Sequence, residues 1–148
     1  MKVVRITRCK ELLTYWPFFV QGIEFTAKYL HYPYTFDTYR RILQRLVTTP
    51  TAYVAVVVDE DDVPVCFGAA YDCTPLHGTE KEYDIPFIFH QPSHLPATAL
   101  LRNEFERFCR RMKVKRYFMT TTAFNGMAQK CIPRFGFKRS HVVYKREL

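Results

Sequence analysis

The sequence lacks the features that mark secreted and membrane proteins. Its five cysteines form no Cys-x-x-Cys pair and stand at irregular spacings: Cys9, Cys66, Cys73, Cys109 and Cys131. An odd number of irregularly spaced cysteines is typical of free thiols in a reducing compartment rather than of a disulfide framework. The longest hydrophobic run, residues 52–58, is far too short to cross a bilayer, and the first residues contain no apolar run of signal-peptide length. We therefore expect a cytoplasmic protein that contacts no membrane.

The sequence also lacks internal repeats, low-complexity segments and an excess of acidic residues. Its 148 residues, of which 48% are hydrophobic, are enough for one domain with its own core, and we predict a single domain over 1–148. Lys and Arg number 22 against 14 Asp and Glu, and this net charge of +8 attracts nucleic acid, acidic proteins or phosphorylated cofactors. The densest basic segment, 110–116, spans the end of a predicted helix and the turn after it, and we interpret it as a solvated face at the helix C-terminus.

Apolar periodicity predicts two helices in the N-terminal half. Residues 11–23 carry apolar side chains at helical spacing, and Pro17 either kinks this helix or begins it. The aromatic segment 29–34 is expected to be a loop. Thr35 or Asp37 can cap the second helix. The expected buried face of the second helix consists of Tyr39, Ile42, Leu43, Leu46 and Val47.

Short β-branched or alternating segments predict the strands. They are residues 3–7, 53–58, 63–72, 81–90, 116–121 and 141–145. The second and third strands predict a hairpin, whereas Pro86 within the fourth indicates an edge position or a bulge. Further helices are predicted over 97–112, which has one apolar face, and over 125–134. The order β-α-α-β-β-β-α-β-α-β is typical of an α/β protein whose mixed central sheet is flanked by helices.

The last third of the chain carries the most specific pattern. A basic amphipathic helix over 97–112 is followed by the strand at Arg116, by Asn125, and by the sequence Arg-Phe-Gly-Phe-Lys at 134–138. This order resembles the C-terminal half of the GNAT superfamily of N-acetyltransferases, and the element order of the whole chain is similar to that family. The resemblance implies a GNAT-like fold and acetyl-CoA as co-substrate. It also implies transfer of an acetyl group, by direct attack, to an unidentified primary amine or protein acceptor.

In the GNAT superfamily a loop of pattern Arg/Gln-x-x-Gly-x-Gly/Ala at a helix start binds the pyrophosphate of acetyl-CoA. A helix N-terminus offers unpaired N–H donors and the positive end of its dipole to an anion. Here the corresponding segment is 91–100, in which Leu95 and Ala97 occupy the small-residue positions and Pro96 removes one donor. The resemblance further implies side-chain contacts from Ser93, His94 and Thr98, a backbone oxyanion donor near Phe89 or His90, and Asn125 near the cofactor arm.

The resemblance also implies a carboxylate on the fourth strand as general base. Glu80, Glu82 and Asp84 lie on one side of this predicted strand because side chains alternate, while Tyr83 points the other way. If their side faces a cleft, Glu82 or Asp84 is the candidate that takes a proton from the amine. The alternative is an edge strand whose acidic side chains are solvated. A tyrosine that many family members use as general acid is replaced here by Ile132.

Two other functions stay open. The altered loop and the missing tyrosine fit a non-catalytic GNAT-like binding or structural protein that contacts a protein partner or a second copy. Such proteins occur among bacteriophage gene products, where they can be part of the virion. Nucleic-acid binding through Arg40, Arg41 and the segment 110–116 is the third hypothesis, and no recognised reading motif accompanies this charge.

A pair of histidines and the asparagine at position 125 each have a second interpretation. His90 and His94 are spaced as a helical metal pair, but Pro92 lies between them, so we predict no metal site. Asn125 has a second interpretation as a helix N-cap, which its side chain suits equally well.

Overall fold

The computed structural model describes residues 1–30, 35–119, 133, 136 and 137. Its elements are β1 (Lys2–Arg5), α1 (Cys9–Thr14), α2 (Trp16–Leu30), α3 (Phe36–Thr48), β2 (Tyr53–Val58), β3 (Pro64–Asp72), β4 (Lys81–His90), a short 3-10 helix (Pro92–His94), α4 (Leu95–Arg111) and β5 (Val114–Met119). The predicted helix over 125–134 and the predicted strand over 141–145 lie outside the residues described as elements. Within the described ranges, no helix combines the length and the apolar character that a bilayer span requires.

The described strands form one five-stranded sheet in the order β1-β2-β3-β4-β5. The first three pairings are antiparallel and the β4–β5 pairing is parallel, which confirms the predicted mixed sheet. β4 is an interior strand, so the predicted edge position for Pro86 was wrong. The predicted bulge, the alternative to the edge position, is confirmed. Ala69 pairs with Phe87 and Tyr71 pairs with Asp84, so that Ala70 lies opposite both Ile85 and Pro86. A proline is tolerated there because the bulge interrupts the ladder of hydrogen bonds.

The sheet is covered on both faces. Odd-numbered residues of β2 pack in a core with Leu101 and Phe105 of α4, and even-numbered residues pack with Phe19 of α2 and Leu43 of α3. Every residue of β2 is therefore buried. Burial on both faces explains why the sequence of this strand is continuously apolar instead of alternating.

The first predicted helix is two helices in the structure. α1 ends at Thr14 and α2 begins at Trp16, with Pro17 in its first turn, where a missing N–H leaves no helical hydrogen bond unmade. Of the two roles predicted for Pro17, beginning a helix is the confirmed one. α2 continues to Leu30, so the predicted loop over 29–34 was wrong at its first two residues, and 31–34 lie outside the described residues.

α3 is capped by Thr35, whose Oγ accepts a hydrogen bond from the N–H of Thr38 at 3.3 Å. Its buried stripe consists of Tyr39, Leu43 and Val47, one residue per turn. Ile42, which we predicted to be buried, is 41% exposed because it lies beside this stripe.

The C-terminal elements begin earlier than predicted. α4 starts at Leu95 rather than at residue 97, and β5 (Val114–Met119) starts at Val114 rather than at residue 116, while the predicted last residues of this strand, 120 and 121, lie outside the described residues. Gly136 has a φ of 84°, and its N–H donates to the carbonyl oxygen of Pro133 at 3.0 Å. A left-handed φ of this kind favours glycine. The next residue, Phe137, packs edge-on against Tyr117 of β5 with ring centroids 5.3 Å apart, so the Gly-Phe turn lies on the sheet.

Candidate active site

β3 and β4 carry a ladder of paired side chains on the sheet face that α1, α2 and α3 cover. From the C-terminal end of β4, the pairs are Phe67–Phe89, Ala69–Phe87 and Tyr71–Asp84. Phe25 of α2 contacts Phe89 with ring centroids 5.7 Å apart, and Tyr39 of α3 contacts Phe87 at 5.0 Å. The third pair is less covered, since Tyr71 is 37% exposed. The helices therefore cover the Phe67–Phe89 and Ala69–Phe87 pairs and leave Tyr71 of the third pair partly exposed.

Asp84 offers one unengaged carboxylate oxygen at this pair. The hydroxyl of Tyr71 donates a hydrogen bond to Oδ2 at 3.2 Å, while Oδ1 is buried and has no hydrogen-bond partner in the described part of the chain. Burial and the charge of Asp84 raise the pKa of the Tyr71 hydroxyl, and the same two causes raise the pKa of the Cys73 thiol. Both neighbours are thus neutral groups at physiological pH. A carboxylate held at one oxygen and unengaged at the other is suited to accept a proton.

Glu82, the second predicted base, is engaged in an ion pair. Arg116 of β5 lies 2.5 Å from its Oε1 and 3.4 Å from a carboxylate oxygen of Glu80. The Glu82 side chain is 14% exposed, so its charge is balanced at short range and largely shielded. Tyr83 faces the opposite side, where it packs against Phe108 of α4, as the alternation predicted. Glu82 and Asp84 share a face, but Glu82 is paired with an arginine, whereas Asp84 has a buried oxygen that no described group engages.

The backbone N–H groups of β4 after the bulge alternate in direction. The N–H of Gln91 donates to the carbonyl oxygen of Val65 on β3 at 2.9 Å. Because hydrogen-bonded and non-bonded residues alternate in an antiparallel pair, the N–H groups of Ile88 and His90 point away from β3. They are directed to the side of β4 on which β5 pairs, and the described part of β5 ends at Met119, opposite Ile85.

The N–H groups of Phe89 and His90 point to opposite edges of β4. The side chain of Phe89 packs among Phe18, Phe25 and Phe67, and by the alternation its N–H points toward β3. The N–H of His90 points away from β3, while its ring Nδ1 lies 2.8 Å from the carbonyl oxygen of Gln91. Of the two predicted oxyanion donors, His90 is the one whose N–H does not face β3.

The predicted cofactor residues around the start of α4 divide into surface and core positions. Ser93 and His94 lie at the surface, with Ser93 Oγ 2.8 Å from His94 Nδ1, and Leu95 is 49% exposed. Ala97 is fully buried in the core beneath α4. The hydroxyl of Thr98 donates a hydrogen bond to the carbonyl oxygen of Leu95 at 2.6 Å, so its proton is already engaged within α4. A ligand at this end would meet Ser93, His94 and Leu95.

The same helix start has fewer backbone donors than a glycine loop. Pro92 and Pro96 have no N–H, and the N–H of His94 already donates to the carbonyl oxygen of Gln91 at 2.9 Å. The N–H of Ala97, in the first turn, has no intrahelical acceptor. α4 has 17 residues, so its dipole is fully developed at this end. The positive end of this dipole suits a phosphate group, although α4 offers fewer free backbone N–H donors at its start than the family pattern does.

Sequence reasoning missed Tyr71 and Phe118 as residues of this region. Tyr71 stands in an apolar strand, where a tyrosine is usually part of the core, and Phe118 stands in a strand that ends in the sequence Tyr-Phe-Met. Their relation to Asp84 depends on strand register, which no local pattern in the sequence reveals. Asn125 and Ile132, both named from the resemblance, lie outside the described residues and stay predictions.

Comparison with known proteins extends the description of the fold. No protein-family model matches the sequence, and no curated protein matches it. Solved structures match along the whole chain. A mutant of the BH1408 protein from Bacillus halodurans has a TM-score of 0.80 at 16% identity, and the match covers 100% of this chain and 99% of that one. A probable acetyltransferase has a TM-score of 0.74 at 22% identity and coverage of 100% and 97%.

Aminoglycoside acetyltransferases are among the structures with this fold. The 6'-N-acetyltransferase AAC(6')-Ih from Acinetobacter baumannii has a TM-score of 0.73 at 15% identity, with 99% of this chain and 97% of that chain covered. Identities this low establish the architecture and leave the chemistry to be argued from the residues. The five-stranded mixed sheet with its flanking helices is the fold of the GNAT acetyltransferases, as the C-terminal sequence pattern predicted.

Proposed function

We propose that this protein is an N-acetyltransferase that uses acetyl-CoA to acetylate a primary amine, with Asp84 as its general base. The observation that carries the proposal is the position of Asp84. Its Oδ1 is buried without a hydrogen-bond partner in the described part of the chain, beside the bulge of β4 and next to the partly exposed Tyr71. The fold supports the same assignment, since structures of this architecture include aminoglycoside N-acetyltransferases, one of them solved in complex with CoA.

Asp84 has the properties that proton removal from an amine requires. A primary amine is mostly protonated at neutral pH and must lose a proton before its nitrogen can attack. Oδ1 accepts that proton, directly or through one water, while the hydrogen bond from Tyr71 keeps Oδ2 in place. Acetyl-CoA supplies the thioester, whose C–S bond breaks as the C–N bond forms and whose thiolate leaves to take a proton from solvent. Asp84 then releases its proton to solvent.

The backbone of β4 and the start of α4 supply the remaining parts of the proposed site. The N–H groups of Ile88 and His90, which point away from β3, are the proposed donors to the oxyanion that forms when the amine attacks the thioester. The surface residues Ser93, His94 and Leu95 surround the N-terminus of α4, where a phosphate group is favoured by the helix dipole.

The first experiment measures cofactor binding by calorimetric titration with acetyl-CoA and with CoA. Leu95→Glu places a negative charge at the helix start without entering the core, because Leu95 is half-exposed. We expect this variant to bind acetyl-CoA at least about tenfold more weakly, since a charge opposing the phosphates costs about 1–2 kcal/mol at a partly exposed site. Leu95→Gln, which has the same shape without the charge, should bind nearly as the parent does. No binding at millimolar acetyl-CoA would refute the proposed function.

The second experiment measures thiol release with a panel of acceptors that contains an aminoglycoside, an alkylamine and a lysine peptide. We expect Asp84→Asn to lower kcat/KM about 100-fold or more while acetyl-CoA affinity stays unchanged, because loss of a general base affects proton transfer only. Asp61→Asn removes a carboxylate from the exposed β2–β3 turn and serves as the matched control. Full activity of Asp84→Asn would remove Asp84 from the mechanism.

The donor-poor start of α4 favours a second candidate function, a non-catalytic GNAT-like binding or structural protein. Pro92, Pro96 and the internal hydrogen bond of His94 reduce the backbone donors that a pyrophosphate would use. This candidate predicts no acetyl-CoA binding and a stable complex with another protein or with a second copy. The calorimetric titration therefore separates the two functions.

A further inference from the structure

The ends of β1, α3 and α4 meet at one rim of the molecule. Thr7, which follows β1, lines one cavity together with Val47 and Thr48 at the end of α3. On the other face of the sheet, the guanidinium of Arg5 lies 4.8 Å from the ring centroid of Phe108, in the last turn of α4. We call this part of the surface the β1–α3–α4 rim.

Each of the three elements brings arginine to this rim. The four residues are Arg5 of β1, Arg45 in the last turn of α3, and Arg110 and Arg111 in the last turn of α4. The helical three are exposed. The ion pairs that the described residues form use other arginines, namely Arg8, Arg40, Arg102, Arg107 and Arg116. The rim therefore concentrates four cations outside the ion pairs of the described chain.

Arg5 is held at the centre of the rim by its neighbours. Its guanidinium lies over the ring of Tyr53 at 4.2 Å as well as over Phe108, and Nη2 donates a hydrogen bond to the carbonyl oxygen of Ala52 at 3.3 Å. Burial lowers the pKa of this guanidinium, and the positive charge of Arg111 lowers it further. An arginine stays charged in a protein, so the two guanidinium groups repel each other, and an anion close to both would relieve this repulsion.

The helix dipoles explain only part of this arrangement. Cations in the last turn of a helix complement its negative end, which accounts for Arg45 on α3 and for Arg110 and Arg111 on α4. The same argument was the basis for interpreting 110–116 as a solvated face. It does not apply to Arg5, which belongs to a strand and which the tertiary structure brings to the end of α4.

The rim is wide enough to face several phosphate groups. α3 and α4 pack on opposite faces of the sheet, and with layers about 10 Å apart their ends are separated by about 20 Å. A nucleic-acid duplex carries one negative charge per about 1.7 Å of its axis, so it presents several phosphates over this distance, whereas a small anion would meet one or two of the arginines. The guanidinium group also matches phosphate oxygens with paired hydrogen bonds.

We propose that the β1–α3–α4 rim binds the phosphate backbone of a nucleic-acid duplex, independently of base sequence. Tyr53 and Phe108 are buried beneath Arg5, so their rings hold the arginine and do not stack on bases. The proposed acetyl-CoA site lies at the other end of α4, whose 17 residues separate the two ends by about 25 Å. Nucleic-acid binding is therefore a further function, independent of acetyl transfer.

The test measures fluorescence anisotropy of a labelled DNA duplex of about 20 base pairs with the full chain, in the absence of acetyl-CoA. We expect equal binding of two unrelated sequences, and a logarithm of affinity that falls with the logarithm of salt concentration with a slope of about −3 to −4, as four arginines would give. No binding at about 50 mM salt and 100 μM protein overturns the proposal. Equal affinity for polyglutamate of the same total charge also overturns it, in favour of an acidic protein partner.

Charge reversals locate the binding surface. Arg111→Glu and Arg45→Glu should each weaken duplex binding about tenfold at low salt and reduce the salt slope by about one. Lys28→Glu is the matched control, since Lys28 lies one turn past Phe25, which contacts Phe89 near the opposite end of the sheet. It changes the net charge equally and should bind nearly as the parent does. All three side chains are exposed, so the core is unchanged. An equal loss in the three variants means that binding follows net charge alone and overturns the proposal.

Competition separates this proposal from the proposed function. Saturating acetyl-CoA should leave the duplex affinity unchanged, because the two ligands would occupy opposite ends of α4. Displacement of the duplex by acetyl-CoA would place the nucleic acid at the start of α4 and overturn the rim. Duplex binding that Arg45→Glu and Arg111→Glu weaken, in a chain that binds no acetyl-CoA, supports the rim and refutes the enzyme.

Discussion

Gly22 of α2 lies close against the aromatic ladder, and we expect Gly22→Ala to destabilise the protein. A Cβ at this position would lie 2.8 Å from Cζ of Phe67 and 2.9 Å from Cγ of Phe89, closer than carbon atoms approach one another. Phe67 cannot move freely, because it is buried against Phe18 and Phe19 with ring centroids 5.9 and 4.4 Å away. The helix or both rings must therefore shift.

Two opposing effects determine the magnitude for Gly22→Ala. Overpacking in a filled core costs about 1–3 kcal/mol, whereas replacing glycine by alanine within a helix contributes about 1 kcal/mol of stability. Since the rings of both Phe67 and Phe89 are crowded, we expect the clash to be in the upper part of its range. The net expectation is a loss of about 1–2 kcal/mol in the free energy of unfolding, or a fall in Tm of about 2–8 °C.

Urea denaturation of Gly22→Ala beside Gln21→Ala measures this effect. Gln21 is exposed on the same helix, so its replacement tests the helix without a core contact. A double-mutant cycle with Phe67→Leu identifies the cause, because the shorter side chain should make room and reduce the cost of Ala at position 22. If Gly22→Ala is as stable as the parent or more stable, helix propensity dominates and the close packing of α2 on the ladder is refuted.

Three further outcomes are expected, each from a single contact. Asp84→Asn should lower the pKa of Tyr71 toward its ordinary value, because burial and the Asp84 charge together raise it. An NMR titration of the Tyr71 hydroxyl that shows no change in its pKa would contradict the interaction of Tyr71 with Asp84. The pKa of Tyr83 is raised to about 12 by burial, and its hydroxyl donates to the carbonyl oxygen of Thr51. The unfolded chain loses this proton near pH 10 and the folded chain keeps it, so the free energy of unfolding should fall from pH 10 to 12. Tyr83→Phe should show a smaller fall in urea titrations across that range. An equal fall in the parent and the variant would contradict the raised pKa of Tyr83. Thr35→Ala should cost about 1 kcal/mol through loss of the α3 cap, whereas Thr35→Ser should cost little; equal urea midpoints for the two variants would contradict capping.

Local patterns in the sequence were sufficient for the type and order of the described elements. β2 and β4 have the bounds that the sequence predicted, because β-branched runs and alternation depend on neighbouring residues alone. Thr35 was predicted as a cap for the same local reason. The predictions failed where packing decides: α2 extends through Leu30, and Ile42 is exposed because the neighbouring elements contact only one stripe of α3.

The sequence by itself determined the α/β class, the mixed sheet and the presence of Glu82 and Asp84 on one face of β4. It left an edge position and a bulge open for Pro86, and it could not choose between the two carboxylates, since the difference between them lies on other strands. Arg116 of β5 balances Glu82, whereas Tyr71 of β3 donates a hydrogen bond to Asp84. Strand register brings these residues together, and register depends on side-chain burial across the whole sheet. The tertiary structure alone therefore decided that Pro86 lies at a bulge, and which carboxylate an arginine balances.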